Sequence, residues 1–141
     1  MARDEPGTGF YLWQLQHQVQ LRLEARIAEL RLTLPQVATL RSLCSTPGIR
    51  SADLARELLL TPQAVSLIIT KLAGVGYLNR TAPNVGRSQP LTITAAGRAV
   101  LTEAQTIIDA VHDELFGFLG TAERARLDDM LRRALAAVQN R

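Results

Sequence analysis

Gln63, Ser66 and Thr70 recur at steps of three and four, with Leu67 among them and Lys71 alongside. On a helix that spacing places them on one face. The face offers short-armed hydrogen-bond donors and acceptors, one cation and no acid. A solvated helix face usually mixes both signs of charge. This one suits a polyanion whose edges carry donors and acceptors, which is a description of the DNA major groove. The acid-free character extends beyond the helix. Residues 58–102 contain no Asp or Glu in 45 positions, yet carry Lys71, Arg80, Arg87 and Arg98. Residues 31–98 hold eight basic side chains against two acids, a balance of +6, which leaves −3 for the rest of a chain whose total is +3. A basic middle between acidic flanks implies that one part meets a polyanion and another part does not. Gln63, Ser66 and Thr70 are expected to contact bases or phosphates of double-stranded DNA, with Leu67 in the same set, and Lys71 is read as a phosphate contact. Arg80 reads equally as a strand-end ion-pair residue or a DNA contact.

Other chemistry is thin. Cys44 is the only cysteine, so no disulfide framework exists. It keeps step with Val37 and Leu40, which reads as a core thiol, and a redox role has no motif behind it. His17 and His112 each stand alone, with no spaced Cys or acid to complete a metal set, so neither a metal nor a cofactor is expected. There is no Gly-rich phosphate loop and no nucleophile elbow, so the chain does not read as an enzyme. With 141 residues, 47% hydrophobic and 21% charged, it reads as one folded domain over 1–141. Its longest apolar stretches, such as Leu58-Leu59-Leu60, fall far short of the roughly 20 residues of a membrane span. The start, Met1-Ala2-Arg3-Asp4-Glu5-Pro6, has no apolar segment of a leader. A soluble cytoplasmic protein without membrane attachment is the expectation.

The elements that must position these residues follow from periodicity and caps. Leu12, Leu15, Val19, Leu23, Ile27 and Leu30 mark an amphipathic helix over 10–30, whose long seam packs on a helix of this chain or of a second copy. Thr33-Leu34-Pro35-Gln36 has the hydroxyl, the early Pro and the Gln of a helix start. Ser45-Thr46-Pro47-Gly48 ends that helix. Ser51 is expected to cap a short third helix, with Asp53 in its first turn. Thr61-Pro62 opens a fourth, from 62 to about 74. Residues 77–81 and 91–94 alternate as strands around a turn-rich loop, Ala82-Pro83-Asn84-Val85-Gly86-Arg87-Ser88, which puts Arg87 and Ser88 near the tip of a hairpin. Thr94 or Ala95 starts a long helix with Val100, Leu101, Ala104, Ile107, Ile108, Val111 and Leu115 inward. Gly117 and Gly120 interrupt it, and a last helix carries Leu127, Met130, Leu131, Leu135 and Val138 on one stripe.

The third and fourth helices, three residues apart, form a helix-turn-helix, and the hairpin makes it a winged one. The fold class is therefore mainly α with a small β-hairpin wing. Arg87 at the tip would reach the backbone or the minor groove.

Taken in order, Thr33-Leu34-Pro35-Gln36, Ser51-Ala52-Asp53-Leu54-Ala55-Arg56, Thr61-Pro62-Gln63-Ala64-Val65-Ser66, Gly76-Tyr77-Leu78-Asn79-Arg80, Gly86-Arg87 and Leu91-Thr92-Ile93-Thr94-Ala95-Ala96-Gly97-Arg98 resemble the MarR family of bacterial transcriptional regulators. Leu119-Gly120-Thr121-Ala122-Glu123 is similar to the start of that family's last helix, and the likeness spans roughly residues 10–138. The resemblance implies a homodimer held by first and last helices, here 10–32 and 99–138, around a DNA-binding part at 33–98. It also implies a repressor on pseudo-palindromic operators, released in many members by a small aromatic or phenolic ligand or by an oxidant. Trp13, His17, Arg41 and His112 are the candidates for lining an effector pocket, because a small anionic aromatic wants an apolar wall and one or two donors. Three positions depart from the family pattern. Leu59 and Leu60 stand where a small residue or Gly is common, and a positive φ there would cost about 1 kcal/mol. Leu67 stands where a base is common, which points to apolar contact with a thymine methyl. Asn84 stands where the wing usually carries Asp. The alternative reading is a winged-helix protein-interaction module that does not bind DNA.

Overall fold

The computed structural model describes residues 5–80 and 90–141. The elements run α1 (Thr8–Ile27), a 3-10 turn (Ala28–Leu30), α2 (Leu34–Ser45), α3 (Ser51–Leu58), α4 (Pro62–Gly74), β1 (Leu78–Arg80), β2 (Leu91–Ile93), α5 (Ala95–Phe116) and α6 (Thr121–Gln139). This is the expected mainly helical winged architecture. Among the described residues, no helix is long and apolar enough to cross a membrane.

Caps fix the helix starts. Thr33 and Gln36 form a reciprocal box: Thr33 Oγ1 accepts from Gln36 N–H at 3.3 Å, and Gln36 Oε1 accepts from Thr33 N–H at 3.0 Å. Thr94 Oγ1 accepts from Gly97 N–H at 3.0 Å and donates to the Gly76 carbonyl at 2.6 Å. One hydroxyl thus starts α5 and ties it to the turn before β1. Gly97 is required there, because a Cβ would lie 2.1 Å from the Tyr77 carbonyl oxygen. The α3 start differs from expectation. Ser51 is the first helical residue, and Arg50 holds the cap position with no side-chain cap bond. The cause is tertiary: Ile49 is buried and its carbonyl accepts from Leu91 N–H, which fixes where the chain turns into α3.

β1 and β2 pair antiparallel, with Leu78 opposite Ile93 and Arg80 opposite Leu91. Leu91 also bonds Gly48 and Ile49 on its other side, so the root of the hairpin is stitched to the α2–α3 connection. The core gathers where the end of α1, the helix-turn-helix, the hairpin root and α5 converge. Ile27, Leu40, Leu54, Leu72 and Ala104 are wholly buried in it. Cys44 is half-buried, not a core thiol as its spacing suggested. It lies at the α2–α5 seam, where the Arg98 guanidinium approaches its sulfur at 3.3 Å.

The two ends of the chain look different. α6 has no buried residue, and Met130, Leu131, Leu135 and Val138 are all exposed. On α1, Phe10, Tyr11, Leu12, Trp13 and Leu15 are exposed as well.

Candidate nucleic-acid interface

α4 begins where Thr61 Oγ1 accepts from Ala64 N–H at 3.1 Å, with Pro62 at the first helical position. The turn that aims it runs through Leu59, which adopts φ 56° and ψ 40°. This is the left-handed conformation the sequence left open, held by a non-glycine residue that is 91% exposed. Leu60 N–H bonds the Ala55 carbonyl at 3.0 Å, so α3 ends in a closed turn and α4 leaves at a fixed angle.

Val65, Ile69 and Leu72 face the core. The opposite side presents Gln63, Ser66, Leu67, Thr70 and Lys71, all exposed. At 3.6 residues per turn, positions 63, 66, 67 and 70 fall within an arc of about 100°, with Lys71 at its edge. Leu67 is 74% exposed in the middle of this polar set. The electrostatics follow from what the nearby acids do. Asp53 is paired with Arg56 within α3, and Glu57 accepts from the Ser42 hydroxyl at 2.8 Å. Neither is on α4. Sequence reading left Arg80 undecided between an ion pair and DNA. The structure gives it a hydroxyl: β1 carries its guanidinium to Thr70 Oγ1, 2.8 Å away. The hairpin register thus brings a second cation to the C-terminal half of α4, a placement that helical spacing alone does not reveal. Arg87 and Ser88 lie outside the described residues.

The four effector candidates do not converge within one chain. Trp13 and His17 stack, ring centroids 5.8 Å apart and planes 9° from parallel, and line a recess on α1. Arg41 lies on α2, bonded to Gln105 of α5, in a separate recess that also holds Cys44 and Asp109. His112 lies on α5 against Phe116, lining neither recess. A larger apolar groove of about 830 Å³ runs between α1, the first turns of α2, the α3–α4 turn and α6, with Leu15, Leu34, Leu60, Phe116 and Leu131 among its walls. Sequence reading missed it, because no single segment contributes more than a strip of its lining.

The model of the MarR family matches residues 32–85. The HTH-type transcriptional repressor Rv2887 of Mycobacterium tuberculosis is 33% identical over 129 residues, covering 91% of this chain and 93% of the relative. The crystal structure of Rv2887 in complex with DNA superposes with TM-score 0.82 at 29% identity, covering 92% of this chain and 98% of that one. The complex of the same protein with salicylic acid gives TM-score 0.75 at 32% identity, covering 93% and 98%. The cap residues, the turn, the polar face of α4 and the hairpin root thus stand in the order and arrangement of a known set of regulators, and this chain belongs to the MarR family.

Proposed function

We propose that this chain is a DNA-binding transcriptional repressor that acts as a homodimer on pseudo-palindromic operators and is released by a small aromatic acid. The observation that carries the reading is the acid-free exposed face of α4, set in a subunit that matches the DNA-bound relative at TM-score 0.82. Gln63, Ser66, Leu67 and Thr70 meet base edges in the major groove, and Lys71 meets phosphate. Arg87 and Ser88 of the wing meet the backbone or the minor groove. Residues 33–98 form the DNA-binding part. Residues 10–32 and 99–138 form the dimerisation helices, whose exposed apolar stripes a second copy covers. Two recognition helices are then about 34–36 Å apart, one DNA turn.

Effector release rests on the named relative, which was crystallised with salicylic acid. Trp13, His17, Arg41 and His112 remain the proposed effector residues, joined by the apolar groove at α1 and α6. A ligand there acts on DNA affinity only by binding one spacing of the reading heads better than the other.

Selection of duplexes from a random pool by the purified full-length protein tests the reading. An enriched inverted repeat, bound by a dimer and released by salicylate, is expected. Failure to enrich any duplex at low salt overturns it. If pull-downs then return protein partners, the interaction-module reading takes its place.

A further inference from the structure

We propose that Leu67 reads the 5-methyl group of a thymine, so that each half-site contains a T whose methyl is required for full affinity. The inference rests on the DNA-binding reading above and specifies what α4 recognises. Leu67 is 74% exposed on a helix whose apolar needs are already met by Val65, Ile69 and Leu72 on the buried side. It shares its arc with Gln63, one turn earlier, and with Ser66 and Thr70. In the major groove the thymine methyl is the one apolar feature a base pair displays, and a Gln amide matches the N6 and N7 of adenine. The groups that pair best with guanine O6 and N7 are guanidinium and ammonium. On α4 the only one is Lys71, at the edge of the arc. Arg80 comes from β1 and is held by Thr70, in the C-terminal half of the helix. The N-terminal half, which enters the groove, therefore offers an apolar surface and an amide, and both fit A·T pairs.

The experiment uses the full-length dimer and the duplex it selects. Replacing thymine by deoxyuridine removes only the methyl group. A scan of single replacements is expected to find one position per half-site where affinity falls about fourfold, the worth of one buried methyl-sized group. Replacing both symmetric positions is expected to give roughly tenfold or more. Leu67→Ala is expected to bind the thymine and deoxyuridine duplexes equally. Its exposure means that the substitution removes no core contact, and a thermal melt close to that of the unsubstituted protein verifies this. If every deoxyuridine duplex binds as well as the thymine duplex, or if Leu67→Ala keeps the discrimination, Leu67 is not a methyl reader although the DNA-binding reading stands. If no duplex is selected at all, both fall together.

Discussion

The middle of the chain and its two ends solve the problem of apolar surface in opposite ways. Between α2 and the start of α5, the large aliphatic side chains among the described residues are buried or half-buried except Leu59 and Leu67, on the turn and the outward face of the helix-turn-helix, and Val75, just past α4. Along the first half of α1 and the length of α6 the apolar stripes are periodic and largely exposed, while the end of α1 enters the core at Ile27. The charge divides the same way, positive in the middle and negative at the ends. On the proposed reading, the middle is the DNA-facing part and a second copy covers the exposed stripes of the outer helices.

The two regions respond differently to substitution, and the largest effect is expected in the core. Leu54→Ala removes a wholly buried side chain and is expected to cost about 2–5 kcal/mol, read by urea unfolding, while the protein stays dimeric. Leu131→Glu with Leu135→Glu, at exposed positions of α6, is expected to do the reverse: sedimentation shifts from the dimer towards the 15.5 kDa monomer, with the helical content of the middle retained. If both variants change assembly alike, the two regions are not independent. Thr61→Ala, which deletes the cap of α4, is expected to cost about 1 kcal/mol. The smallest effect is expected at Leu59. Glycine there relieves the left-handed strain of about 1–2 kcal/mol and gives part of it back in unfolded-chain entropy. Leu59→Gly is therefore expected to raise the melting temperature slightly, since a 91% exposed side chain has little packing to lose. A clear drop would mean that Leu59 makes a contact in the dimer.

Much of this fold was legible because its signals are local. The Thr33–Gln36 box, the Thr61-Pro62 start and the helix start at Thr94-Ala95 each act within four residues, and all three are in place. The Ser51 cap failed because a non-local pairing, Ile49 with Leu91, sets the start of α3. Cys44 kept helical step with the core and was still displaced to a seam, because periodicity does not say where a neighbouring helix ends. The polar face of α4 was legible as a stripe. The approach of Arg80 to it depends on strand register, and the apolar groove depends on segments far apart in sequence. Neither leaves a mark on a single stretch of chain.

The salt dependence of operator binding tests most directly whether the basic middle is a DNA-reading surface. If Lys71 and Arg87 each neutralise a phosphate in both subunits, log–log plots from fluorescence anisotropy have a slope of at least about −3.6, and Lys71→Ala makes the slope shallower by about 1.8. A slope near zero, or one unchanged by Lys71→Ala, would contradict the assignment of this face to DNA.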